Sequence, residues 1–189
     1  MSILKYYQEL SKYIGLIEAS GKSGKKLKFT EAADRMLVLA LTCKTDRKKV
    51  MFIGNGGSAA IASHAAVDFW KNAGIRAITF NDAPLLTCVS NDYGYEHVFE
   101  KPVEMFADKE DLLVAISSSG KSQNIINGVK AAQNKGCRIV TLSGFSKENP
   151  LRKMGEINFY VPARHYGHVE IIHKSICHYV YDMTMERSK

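Results

Sequence analysis

Two loops and two sets of helix-spaced histidines and carboxylates are the parts of this 189-residue sequence whose residue types could do chemistry. The first loop, Gly54-Asn55-Gly56-Gly57-Ser58, follows an apolar run ending at Ile53. The second, Ser117-Ser118-Ser119-Gly120-Lys121-Ser122, follows another ending at Ile116. Hydroxyls and free backbone N–H groups at the start of a helix form a cradle for a dianionic phosphate. A serine-rich turn that merely caps its helix is the plainer alternative. Four serines in six residues directly after a buried strand favour anion binding. Gly120-Lys121-Ser122 mimics the tail of a P-loop, but the glycine required five residues earlier is Ala115. Gly54-x-Gly56-x-x-Ala59 has the form of a dinucleotide fingerprint, but Asn81 and Asp82 come too late to be its ribose-binding acid.

His64 and Asp68 stand four residues apart and share a helix face. Near the C-terminus Glu170, His173, Lys174 and His178 recur at helical spacing, with Glu170 and His178 about two turns apart. Two imidazoles and two carboxylates suit a borderline divalent ion such as zinc, and equally suit acid–base work. Spacing alone does not bring residue 64 to residue 178.

The elements that must position these groups follow from apolar patterning. Ile3 to Ala19 carries Leu4, Tyr7, Leu10, Ile14 and Ile17 on one helical face, and Gly21 to Gly24 then breaks the chain. Thr30 is the expected N-cap of a second helix that buries Met36 to Leu41. From Val50 onward the pattern changes to short apolar runs: 50–53, 77–80, 112–116, 138–142 and 157–161. Several are β-branched and continuous, as in parallel strands covered on both faces. Helix-length stretches at 58–72, 95–106, 122–134 and 167–185 separate or follow them. The expected fold is α/β: a three-layer αβα sandwich on a five-stranded parallel sheet, with N-terminal helices. Residues 1–189 read as one domain, in which segment 1–49 packs on the sandwich or on a sister subunit.

The net charge is +7, and the stretch from Lys22 to Lys49 holds nine basic residues against three acids. Only one aromatic residue, Phe29, lies within it, too few for a single-strand platform, so nucleic acid is not the expected partner. No apolar run is long enough to span a membrane. Charges near Met1 interrupt any secretory h-region, so a cytoplasmic location is expected. Cys43, Cys88, Cys137 and Cys177 form no CxxC pair and read as buried free thiols in a reducing compartment.

These loops, together with Ser63-His64, Val89-Ser90-Asn91-Asp92-Tyr93-Gly94 and the closing Glu170-Ile171-Ile172-His173 to His178, resemble the sugar isomerase (SIS) domain proteins. Among those they look most like the phosphoheptose isomerases. The resemblance implies a homotetrameric isomerase that interconverts sedoheptulose 7-phosphate and D-glycero-D-manno-heptose 7-phosphate through an enediol, for bacterial surface heptose synthesis, with zinc. It implies that Ser117, Ser118, Ser119 and Ser122 hold the phosphate, that Asn55 and Ser58 contact the sugar, and that Asp92 lies near its reacting end. His64, Asp68, Glu170 and His178 fall on the family's metal positions, and Asp68 and His178 on its acid–base pair. The chain departs from the family in having Asp68 where Glu is usual and Glu170 where Gln is usual. An acid near Ala60-Ile61 and an arginine near Asn72 are also replaced. A non-enzymatic SIS relative, such as the regulator that associates with the DnaA initiator, is the alternative. Retention of the histidines and of the full serine loop argues against it.

Overall fold

The computed structural model describes residues 2–187. The Ser2 side chain accepts a hydrogen bond from the Lys5 backbone N–H and so caps helix α1 (Ile3–Gly15). The expected continuation of this helix to Ala19 does not occur. Glu18–Gly21 is instead strand β1, followed by a 3-10 turn and by β2 (Lys26–Leu27). The free edge of the strand formed by residues 157–161 captures this segment in antiparallel pairing, Ala19 opposite Phe159. Helix α2 (Phe29–Thr45) starts ahead of the expected cap at Thr30, with Lys28 at its N-cap position. The Phe29 ring packs edge-on against Phe159, which draws it into the first turn.

The five apolar runs all become strands: β3 (Val50–Gly54), β4 (Ala77–Thr79), β5 (Leu112–Ser117), β6 (Arg138–Gly144) and β7 (Ile157–Val161). Between them lie α3 (Gly57–Lys71), α4 (Ala83–Tyr93), α5 (Glu100–Phe106) and α6 (Gln123–Asn134), and α7 (Tyr166–Arg187) follows β7. The sheet has seven strands rather than five, in the order β2-β1-β7-β6-β5-β3-β4. Among the described strands only the added β1 runs against the rest, pairing antiparallel with both β7 and β2. Successive residues of the inner strands serve opposite cores, as the pleat requires. Val50 and Phe52 face α2, α3 and α7, whereas Met51 and Ile53 face α5 and α6. The expected helix at 95–106 is a 3-10 turn at Tyr95–His97 followed by the short α5.

Order along the sheet reverses at one place. From β3 the chain moves outward to β4, and it returns on the other side through β5, β6 and β7. A crevice therefore opens beyond the carboxyl ends of β3 and β5, where ligands bind in open α/β sheets. Both glycine–serine loops leave the sheet at that crevice.

The basic stretch is partly spent on structure. Lys49 forms ion pairs with Asp108 and with buried Asp111, and Arg35 pairs with Glu31. Asp111 also accepts from the Lys49 and Asp108 backbone N–H groups at 2.9 and 2.8 Å, which pins the starts of β3 and β5. The expectation of four buried cysteines holds for Cys43 and Cys177, whose thiols burial pushes up to about 11 and about 12. Cys88 is exposed because α4 buries none of its residues, and Cys137, in the turn between α6 and β6, is half-buried. Among the described residues no helix is long and apolar enough to cross a membrane.

Candidate functional site

The serine loop is shaped by Gly120. Its φ is +62°, and a Cβ there would lie 2.1 Å from the Asn149 Oδ1 atom, so only glycine fits. Asn149 is fully buried and braces the loop through bonds to the Ser143 hydroxyl and to the Gly144 and Ser146 carbonyls. Ser117 Oγ accepts from the Gly120 N–H at 3.1 Å, and Ser119 Oγ accepts from the Lys121 N–H at 3.3 Å. These bonds leave both hydroxyl protons available to a ligand. Ser122 occupies the N-cap position of α6 without making a capping bond. The Ser118 hydroxyl is buried without a partner. A set of hydroxyls facing the start of a twelve-residue helix is thus left to something outside the chain.

The four serines of this loop line one cleft of about 110 Å³ with Asn55 and Ser58. Tyr166 and Glu170, from the first turns of α7, complete its wall. Asn55 is held by a reciprocal amide pair with buried Asn124, at 2.9 and 2.8 Å, and by a bond from the Tyr95 hydroxyl at 3.1 Å. Glu170 lies over the start of α3. A Cβ on Gly57 would come within 2.4 Å of its carboxylate, so glycine lets the anion approach the positive end of that helix.

The histidine–carboxylate set forms lower on the same two helices, which pack side by side. His64 Nε2 lies 3.5 Å from Asp68 Oδ2, and His178 Nδ1 lies 3.8 Å from the same oxygen. Ligand atoms of these three residues fall within 4.8 Å of one another. The His64 and His178 rings meet edge to face at 5.4 Å. Lys174, between Glu170 and His178 on α7, hydrogen-bonds His64 Nδ1. The structure thus brings His64, Asp68 and His178 together, while Glu170 stands apart in the serine cleft. Eight residues of helix, a rise of about 12 Å, separate Glu170 from His178. Two imidazoles and one carboxylate with an open side are the kind of donor set that catalytic zinc sites use.

The sequence profile of the SIS domain family matches residues 19–144. The phosphoheptose isomerase of Aliarcobacter butzleri is 34% identical over 149 residues, which is 76% of this chain and 78% of that protein. The chain belongs to the SIS domain family and, within it, to the phosphoheptose isomerases. Among solved structures, a phosphoheptose isomerase from Neisseria gonorrhoeae superposes with a TM-score of 0.77 at 29% identity, over 96% of this chain and 91% of that one. A phosphoheptose isomerase from Francisella tularensis has the same fold, with a TM-score of 0.84 at 23% identity over 98% and 100% of the two chains.

In this SIS chain Asp92 lies on α4, exposed, where it accepts from Asn91 Nδ2 and from the Cys88 thiol; it is not part of the cleft wall. Asn124, Tyr95 and Tyr166 join the site without having been legible in the sequence. Asn124 and Asn55 are 69 residues apart, and no local pattern pairs them.

His173 turns the other way from Glu170, Lys174 and His178. It is fully buried, and its Nε2–H donates to the Ser143 carbonyl at 3.1 Å, tying α7 to the end of β6. Burial lowers its pKa to about 4. The folded value lies below the ordinary 6.5, so the unfolded chain takes up the proton first. Stability is complete above that ordinary value and falls as pH drops from there toward 4, by a loss approaching 3 kcal/mol. Urea denaturation between neutral pH and pH 4.5 is expected to show this loss in the wild type and a flatter profile in His173→Gln. Parallel profiles would remove His173 as the cause.

Proposed function

We propose that this SIS enzyme interconverts sedoheptulose 7-phosphate and D-glycero-D-manno-heptose 7-phosphate. The observation that carries this reading is the pairing, along one α3–α7 seam, of a serine cleft suited to phosphate with a His–Asp cluster suited to proton transfer. The phosphate sits on Ser117, Ser118, Ser119 and Ser122 at the start of α6, while Asn55 and Ser58 bond sugar hydroxyls. The open-chain sugar extends toward Asp68 and His178.

In the ketose-to-aldose direction Asp68 takes a proton from C1 while the C2 oxygen gains one, giving the enediol. Asp68 then returns its proton to C2 as the C1 hydroxyl releases its own, and His178 serves the two oxygens. His64, Asp68 and His178 would hold zinc, which when bound would supply Lewis-acid polarisation of the sugar oxygens and offset the negative charge that develops on them. Incubation of sedoheptulose 7-phosphate with the protein in deuterated water tests the reading. NMR is expected to show the aldose appearing with deuterium at C2. No exchange with or without added zinc would overturn it.

The cluster faces outward between exposed apolar residues, Val67 and Trp70 on α3 and Ile171 and Tyr179 on α7. Helix α1 also buries none of its residues and exposes Ile3, Leu4, Tyr7 and Ile14. So much exposed apolar surface supports assembly of several copies over these faces, in keeping with a cytoplasmic homotetramer. Velocity sedimentation at micromolar concentration is expected to give a single tetrameric species; a monomer would overturn the assembly.

A further inference from the structure

Lys174 is the one member of the His–Asp cluster to which the proposed isomerase chemistry gives no task. Its ammonium bonds His64 Nδ1, and it lines the small crevice beside Asp68 and His178. His64 therefore meets a cation at one ring nitrogen and, at 3.5 Å from the other, the Asp68 carboxylate. An ammonium has only protons to offer, so Nδ1 must present its lone pair, and the ring proton of the neutral imidazole must then sit on Nε2. In that tautomer neither nitrogen has a lone pair left for a metal ion. Ligation through Nδ1 displaces the ammonium directly. Ligation through Nε2 moves the ring proton to Nδ1, which then repels the same ammonium. By either route the lysine bond must break first, and the fixed positive charge opposes the incoming one.

We propose that Lys174 is a built-in competitor of the divalent ion at His64, so that the site holds its metal weakly and exchangeably. The inference rests on the metal role proposed above for His64, Asp68 and His178. It adds that metal entry and release are coupled to the swing of one side chain on α7. Lys174 is only half-buried, so its four-carbon stem leaves the ammonium room to swing away from His64 when the metal enters.

Titrations of zinc by calorimetry, and of cobalt(II) by its visible absorption, test this in the wild type, Lys174→Met, Lys174→Arg and His64→Ala. Lys174→Met is expected to bind both ions at least about ten-fold more tightly than the wild type, since one like charge beside the site is removed. Lys174→Arg keeps the charge and is expected to stay weak, and His64→Ala is expected to lose uptake. If His64→Ala loses uptake while Lys174→Met binds no tighter than the wild type, the competitor role falls and the metal role stands. Lys174→Arg binding as tightly as Lys174→Met would also overturn it. If neither the wild type nor Lys174→Met takes up metal, both readings fall. Ring-nitrogen NMR shifts of the wild-type protein give a check that needs no variant. His64 is expected to be Nε2-protonated without metal and to lose that proton at saturating zinc, and an unchanged tautomer would overturn the proposal.

Discussion

Asp68→Asn is expected to slow solvent deuterium exchange at the sugar's C2 by two to four orders of magnitude, the usual worth of a positioned general base. Asn matches the shape of Asp and can still meet His64 and His178, but it cannot accept the substrate proton. The serine cleft should not sense the change. Ten residues of α3, a rise of about 15 Å, separate Ser58 from Asp68. Affinity for inorganic phosphate is therefore expected to stay as in the wild type, which distinguishes lost chemistry from lost folding. The rival base is Glu170, whose carboxylate already stands in the cleft wall. Glu170→Gln is expected to retain exchange at a reduced rate. If Glu170→Gln abolishes exchange while Asp68→Asn retains it, the base is Glu170 and the proton moves close to the serine loop. Deuterium incorporation followed by NMR in both variants decides between the two.

The parallel strands were legible because burial on both faces demands continuous apolar runs, as in Leu112-Leu113-Val114-Ala115-Ile116. The two added strands were not. Residues 18–21 and 26–27 are short and built from Glu, Ala, Ser, Gly, Lys and a single Leu, so nothing local favours a strand; pairing with the open edge of β7 makes one. Helix α4 escaped for the opposite reason. It buries no residue fully, and its apolar face is only Leu85, Leu86 and Val89, half-covered against the core, too short a stripe to read. Its start was nonetheless written in the sequence: Asp82 accepts from the Leu85 N–H, and Pro84 occupies the first turn. The candidate site divides in the same way. The serine loop could be read from four hydroxyls after a strand, a local signal. The cluster depends on α3 packing beside α7, which brings Lys174 to His64 across 110 residues. Helical spacing placed Glu170 and His178 on one stripe but did not show that the stripe serves two places, the cleft above and the His–Asp cluster below.

Replacing Ser119 and Ser122 together with Ala is expected to weaken phosphate binding by roughly 3–6 kcal/mol. Each hydroxyl bond to a charged group contributes about 1.5–3 kcal/mol, so the loss corresponds to some two to four orders of magnitude in Kd. The structure indicates why the loop should keep its shape. Its turn is set by the left-handed Gly120, by the bond from the Gly120 N–H to Ser117 and by buried Asn149 beneath; Ser119 and Ser122 carry none of these. Ser122 makes no capping bond to lose, and Ser119 gives up only its contact with the Lys121 N–H. The variant should therefore melt close to the wild type while losing its hold on the anion. Calorimetric titration with inorganic phosphate and with sedoheptulose 7-phosphate should show parallel losses, because the missing hydroxyls face the phosphate common to both. A variant that binds sugar phosphate as the wild type does, with its melting temperature unchanged, would remove the phosphate from this loop. The turn would then be no more than the support for α6 that a serine-rich strand end can also be.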